Sequence, residues 1–232
     1  MSAPVLVTGG ATRIGRAIAT RLHASGRGVI IHYRSSASAA SELARALDAE
    51  TVQGDLCRIE DIDAIAETFA NRRLGGIVNN ASSFFSTEIG ATEASEWDAL
   101  FGSNARGPYF LTQALVPRIE DGGGIVNVTD IHAVVPLRRY AVYTMAKAAL
   151  AQMTRAMAKE LAPRLRVNAV APGAITWPVD EPSEAMKANI LSHVPLGRLG
   201  EPEDIARTVD FLFDSPYITG ETIHVDGGRS LG

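Results

Sequence analysis

The sequence predicts an α/β fold, a doubly wound parallel sheet of about seven strands with helices on both faces. Three observations predict it. Short apolar runs alternate with longer amphipathic ones along the chain, the signature of parallel strands joined by crossover helices. The first run feeds a glycine turn that opens a helix. The 232 residues show no repeat, low-complexity tract or linker, which suits one large domain.

The elements follow in order. "PVLVT" (4–8) reads as a buried strand and "RIGRAIATRLHASG" (13–26) as a helix closed by Gly26. "GVIIHY" (28–33) is the second strand, and "ASAASELARALDA" (37–49) is an alanine-rich helix. "TVQGDL" is a short third strand, and 59–73 a helix with apolar residues at helical spacing. "GGIVNNA" is the fourth strand. Helical stretches at 93–103 and 105–120 follow, broken near Gly107-Pro108. "GGGIVNVT" is the fifth strand, 140–162 a long helix ending at Pro163, and "RVNAVAP" the sixth strand. A looser stretch with one short amphipathic piece then leads to a helix opened by Pro202 and acids. "ETIHVDGG" closes the sheet.

Bulk properties exclude several function classes. Net charge is −4, so nothing in the charge points to nucleic acid or an anionic membrane. Cys57 is the single cysteine; it forms no internal disulfide, anchors no zinc site, and reads as a buried small hydrophobe. The start lacks the pattern of a signal peptide, and no window approaches the length of a membrane span, so a soluble cytoplasmic protein is expected.

Ligands of such sheets bind at the carboxyl ends of the strands, so the loops there carry the argument. After the first strand, Gly9 and Gly15 in "TGGATRIG" flank a tight turn into a helix, suited to a pyrophosphate or to packing alone. Arg13 stands where a further glycine is expected and sets a cation near phosphates or substrate. After the second strand, no acid awaits a ribose 2′-hydroxyl before Glu42; Arg34 among Ser35 and Ser36 suits a 2′-phosphate instead, and favours NADP(H) over NAD. Asp55 stands where an adenine amino group could donate to it. Asn80, Ala81 and Ser82 run along the cofactor, ahead of the pair Phe84 and Phe85.

Tyr143 and Lys147 lie one turn apart on the long helix. A nearby ammonium favours the phenolate, which is the condition for acid–base work near neutral pH. Tyr140 competes but has poorer spacing to Lys147. Asp130, at the end of the fifth strand, opposes the lysine: a charged carboxylate near Tyr143 raises the tyrosine's pKa, and the pair titrates as one system.

Together "TGGATRIG", "GDL", "NNAS", Asn104 in "SNARGP", Tyr143/Lys147, "PG" at 172–173 and "RLGEPEDIA…TGETIHVDGG" resemble the short-chain dehydrogenase/reductase family over almost the full chain. Asp130 replaces the family's serine. With Arg13, "HYRSS" and "NNASSFF", it is similar to the pteridine reductase branch, which includes the bacterial dihydromonapterin reductases.

The resemblance implies a single Rossmann-type NADP(H)-binding domain over 1–232, with a substrate lid at about 174–200. The implied catalytic set is Tyr143, Lys147, Asp130 and Asn104, with Asn104 holding a water and Lys147 binding the nicotinamide ribose. The implied NADPH site adds Gly9, Arg13, Ile14, Gly15, His32, Tyr33, Arg34, Ser35, Asp55, Leu56, Asn80, Ala81, Ser82, Pro172 and Gly173 to Tyr143 and Lys147. The implied substrate site is Arg13, Ser82, Phe84 (stacking the pterin), Asp130, Tyr143 and Trp177, with no metal. The expected activity is NADPH-dependent reduction of a dihydropterin to the tetrahydro form, by a homotetramer built through 105–120, 140–162 and the final strand. A 3-oxoacyl thioester, ketone or sugar reductase is the alternative within the family, and a non-catalytic NADP(H)-sensing protein the alternative outside enzymes.

Overall fold

A computed structural model of the chain describes residues 3–177 and 183–231. The strands are β1 (Val5–Val7), β2 (Val29–Tyr33), β3 (Glu50–Gln53), β4 (Leu74–Asn79), β5 (Ile119–Val128), β6 (Arg166–Pro172) and β7 (Thr222–Val225). They form one sheet ordered β3-β2-β1-β4-β5-β6-β7, with every neighbouring pair parallel. The chain winds outward from β1 to β3, returns to β4 beside β1, and winds outward the other way. The switch point therefore lies between β1 and β4, where the loops diverge and leave a crevice.

The helices are α1 (Arg13–Ala24), α2 (Ala37–Leu47), α3 (Ile59–Thr68), α4 (Ala94–Phe101), α5 (Gly107–Leu115), α6 (Ala141–Leu161), α7 (Glu184–Ser192) and α8 (Pro202–Asp214). Because side chains alternate across a strand, each strand feeds two cores. Val5, Val7, Val29, Ile31, Val78 and Val126 pack with α1, α2 and α8. Leu6, Ile30, Ile77, Ile125 and Val167 pack with α3, α5 and α6 on the other face. Burial on both faces explains why these strands read as unbroken apolar runs.

Two helical expectations need correction. The stretch 105–120 ends at Leu115: Pro117 has no amide hydrogen, a 3-10 turn covers Val116–Arg118, and β5 already begins at Ile119. Gly107-Pro108 does not break the helical path either. A π-helical turn, Gly102–Arg106, joins α4 to α5, and Pro108 sits in the first turn of α5, where its missing donor costs nothing. Gly107 is required by close approach, since a Cβ there would lie 2.5 Å from the Leu56 carbonyl oxygen.

The α1 and α8 helices are fastened by an acid. Asp210, 4% exposed, accepts from Arg21 Nε (2.9 Å), Arg27 Nη1 (2.8 Å) and Ser25 Oγ (2.8 Å), and Arg27 also pairs with Asp214. At its start α8 carries Pro202 and a reciprocal capping box between Glu201 and Asp204.

Candidate active site

A cleft of about 1050 Å³ opens at the carboxyl ends of the strands. Its first wall is the turn after β1. Gly9 takes a positive φ of +60°, which favours glycine, and a Cβ on Gly15 would lie 2.1 Å from the Gly9 carbonyl oxygen, which requires it. Arg13 takes φ +49°, a conformation that glycine adopts without strain, which accounts for its reading as a replaced glycine. Thr12, the N-cap of α1, makes no side-chain cap, and the first turn holds no acid. The leading amides of α1 are thus left for an anion, a cradle that fits a dinucleotide pyrophosphate.

Two polar residues hold this turn. Asn80 Nδ2 donates to the carbonyls of Thr8 (2.8 Å) and Gly9 (3.3 Å), and Thr8 Oγ1 accepts from the amides of Asn80 and Ala81 (2.9 Å each). These bonds stitch the β1 and β4 loops together at the switch point. His32 is buried beneath; its Nδ1 accepts from the Gly9 amide (3.2 Å), so the proton sits on Nε2, which faces the Gly54 carbonyl at 3.1 Å. Burial pushes its pKa down to about 4, and only the neutral ring satisfies both bonds.

After β2, Arg34 is exposed and faces Asp55 at 4.0 Å, with Ser35 and Ser36 beside it on the cleft wall. Asp55 Oδ1 is taken by the Cys57 amide (2.9 Å). Cys57 lines the cleft and is half-buried, not the fully buried hydrophobe expected; burial and Asp55 push its thiol pKa up. Tyr33, Leu56 and Ile14 complete this side.

The other end carries the chemistry. Asp130 sits in extended backbone after β5, and its Oδ1 accepts from the His132 amide at 2.8 Å. Its Oδ2 accepts from the Tyr143 hydroxyl at 2.6 Å. Tyr143 is 4% exposed. Burial first, then the Asp130 charge, holds its hydroxyl well above the ordinary tyrosine pKa. Of the two opposed influences expected on Tyr143, the raising one from Asp130 acts together with burial and outweighs Lys147. Lys147 Nζ donates to the Val128 carbonyl (2.9 Å) and lies 5.8 Å from the Tyr143 ring centroid, and its own pKa is lowered by burial to about 8.

Of the adjacent phenylalanines, Phe85 joins a small core with Leu100, Val142 and Tyr143. Phe84 is 55% exposed in the cleft, stacked on Tyr140 (4.6 Å, 11°) and edge-on to Tyr143 (4.8 Å). Tyr140, the N-cap of α6, lines the cleft behind it. Asn104 sits in the π turn, fully buried. It accepts from Ser82 Oγ (2.7 Å) and donates to the carbonyls of Ser83 and Leu100 (2.9 Å each), so its amide fixes the loop after β4. Trp177 lines the cleft, with Lys187 Nζ over its ring at 5.9 Å.

The cleft thus gathers nearly all the residues singled out from the sequence; Asn104, Lys147 and Pro172 stand buried behind its wall. Gly173 lines it, with no room for a Cβ, which would come within 2.6 Å of Asp226. Of the expected lid at 174–200, residues 178–182 lie outside the described residues. Sequence reasoning missed Thr176, whose Oγ1 is bonded by Arg13 (3.4 Å), and Met186, Asn189 and Arg229. Arg229 follows β7, and the strand-end rule applied to that last strand points to it.

The profile described as "Enoyl-(Acyl carrier protein) reductase" matches residues 9–230. Pteridine reductase 1 of Leishmania tarentolae is 38% identical, covering 99% of this chain and 97% of its own. A 3-oxoacyl-[acyl-carrier-protein] reductase of Synechocystis sp. is 35% identical, covering 97% and 96%. Among solved structures, a blue fluorescent protein from a metagenomic library, in complex with NADPH, superposes with a TM-score of 0.92 at 29% identity, covering 98% of each chain. The strand order, the glycine turn, the Tyr143–Lys147 pair and these full-length matches place the chain in the short-chain dehydrogenase/reductase family of NAD(P)-dependent oxidoreductases, in its pteridine reductase-like branch.

Proposed function

We propose that the chain is an NADPH-dependent reductase of a dihydropterin, giving the tetrahydropterin. The carrying observation is the 2.6 Å hydrogen bond from the Tyr143 hydroxyl to Asp130, at the position where the family places a serine. A serine hydroxyl suits a carbonyl substrate, because it donates to a developing oxyanion. A dihydropterin instead offers ring nitrogens that need a proton and an amino-pyrimidine edge rich in donors. A carboxyl group serves both needs.

Residues 1–232 act in this reading as one NADP(H)-binding domain with a lid at about 174–200. The uncapped start of α1 with Gly9 and Gly15 holds the pyrophosphate, and Arg34 with Ser35 holds the 2′-phosphate, in keeping with the NADPH-bound relative. Bound NADPH supplies the hydride from nicotinamide C4. Phe84 offers its exposed face to the flat substrate, and Trp177 adds a second aromatic wall to the cleft. Tyr143 holds a proton at its hydroxyl, because burial and Asp130 both disfavour the phenolate. Asp130 shares that proton, so the pair delivers one to a ring nitrogen as a coupled unit. Lys147, fixed on the Val128 carbonyl, orients the nicotinamide ribose and sets a positive charge behind the tyrosine. Asn104 positions the Ser82–Ser83 segment through its bonds with the Ser82 hydroxyl and the Ser83 carbonyl. Exposed Trp97, Tyr109 and Met145, on α4, α5 and α6, suit the helix faces of a homotetramer.

A second reading, reduction of 3-oxoacyl thioesters or other ketones, is favoured by the 35% identity to a 3-oxoacyl-[acyl-carrier-protein] reductase. NADPH oxidation across dihydropterins, dihydrofolate and a 3-oxoacyl thioester separates the two. Turnover of dihydropterins is the expected result; thioester turnover without pterin turnover establishes the second reading.

A further inference from the structure

Three arginines line the cleft: Arg13 after β1, Arg34 after β2 and Arg229 after β7. Arg13 bonds Thr176, and Arg34 faces Asp55. The guanidinium of Arg229 has no hydrogen-bond or ion-pair partner among the described residues, although the residue is half-buried. After β5 the cleft wall also carries Asp130, already bonded by Tyr143 and the His132 amide. In the sheet order β7 lies five strands from β2 and four from β1. Those steps amount to roughly 24 and 19 Å between strand backbones at a ~4.8 Å spacing, so Arg229 comes from a different strand end than the phosphate-binding turns, although the Arg13 side chain reaches across to Thr176 in the loop after β6.

The turn that carries Arg229 is built to hold it. Gly227 and Gly228 take φ of +64° and +84°, and Asp226 accepts from the amides of Gly228 (2.9 Å) and Ser230 (2.8 Å). The segment after α7 locks onto the same turn, through the Leu196 amide on the Gly227 carbonyl (3.1 Å) and Pro195 against Gly228. Trp177, Met186 and Ile190 make this end of the cleft largely apolar. A guanidinium without a partner beside an apolar wall is complementary to an anion carried at the end of a flat substrate.

We infer that Arg229 is a specificity-determining residue that pairs with an anionic tail of the substrate, a carboxylate or a phosphate. This rests on the dihydropterin reading and narrows it to dihydropterins with charged side chains. The test compares KM and kcat for three substrates, in wild type, Arg229→Gln and Arg229→Lys. The substrates are a neutral dihydropterin, dihydrofolate with its carboxylates, and a phosphorylated dihydropterin. In Arg229→Gln the ratio of anionic to neutral KM rises about tenfold, the size expected for one charge-assisted hydrogen bond, while kcat for the anionic substrate changes little. Arg229→Lys recovers part of the ratio, and in wild type added salt lowers kcat/KM for the anionic substrate more than for the neutral one. The substrate that shows the loss identifies the anion.

An unchanged ratio with both anionic substrates overturns the inference, as does a loss that falls on the NADPH Kd instead. If no dihydropterin is turned over, the pterin reading falls by itself. The same ratio, measured with a 3-oxoacid against its neutral ester, then decides the role of Arg229.

Discussion

Asp130 and Asp210 are both acids drawn away from water, and they are held in opposite ways. Asp210 is almost fully buried and answered by charge, with Arg21 and Arg27 on its two oxygens. Asp130 is half-buried and answered by neutral donors, the Tyr143 hydroxyl and the His132 amide. A carboxylate satisfied by guanidinium groups keeps its charge and ties two helices together. A carboxylate satisfied by a phenol shares a proton with it, so its charge remains available to chemistry. His32 belongs with Asp130 in this respect, being titratable, buried and bonded only to neutral backbone.

The largest expected effect breaks the proton-sharing side. Asp130→Asn lowers kcat for dihydropterin reduction by about a hundredfold or more, the range for loss of a general acid–base group, while the NADPH Kd stays within a few-fold. Steady-state kinetics with fluorescence titration of NADPH check both halves. Unchanged turnover would reduce Asp130 to a replaced serine and remove the main support for pterins.

His32 sharpens the comparison through stability. The folded ring stays neutral down to about pH 4, whereas in the unfolded chain it takes up a proton near its ordinary value of 6.5. Between those values the unfolded state binds more protons, so stability falls as pH drops from 6.5 to 4, by up to ~3 kcal/mol. Urea unfolding at pH 7, 5.5 and 4.5 measures this, and His32→Gln flattens the dependence.

On the charged side, Asp210→Asn replaces the carboxylate shared by Arg21 and Arg27 with a neutral amide that has a single acceptor oxygen, and Tm falls by roughly 5 °C or more. Thermal unfolding reads the shift, and kcat per folded molecule stays near the wild-type value because Asp210 lies outside the cleft. If Asp210→Asn matched Asp130→Asn in its loss of turnover, the distinction between the two acids would collapse.

The smallest effect is on the pH profile. Lys147 works as an ammonium, and its pKa of about 8 means that kcat/KM falls as pH rises through that value, about tenfold from pH 7 to pH 9. Lys147→Arg does not titrate in this range, so the basic limb disappears in a pH–rate profile whatever activity remains.

The architecture was largely legible along the chain. Apolar runs placed the five inner strands within a few residues, because a parallel sheet buried on both faces leaves no polar alternative, while the more exposed edge strands β3 and β7 were read from the strand–helix alternation. Gly9 and Gly15 were legible for a similar reason: a positive φ favours glycine, and a 2.1 Å clearance excludes every other residue. The helix overrun to residue 120 came from reading apolar content past Pro117, where β5 claims Ile119 for the core.

Local spacing on α6 was enough to pair Tyr143 with Lys147 and to set Asp130 near them, as it was enough to mark Arg34 against an NAD site. Which influence wins on Tyr143 was decided only by the tertiary structure. Desolvation depends on what packs around the hydroxyl, and here Leu100 and Val142 bury the ring while Lys147 turns to the Val128 carbonyl. The same holds for Asn104, His32 and Arg229. Their neighbours come from distant strand ends, and only the assembled sheet brings those ends to one cleft.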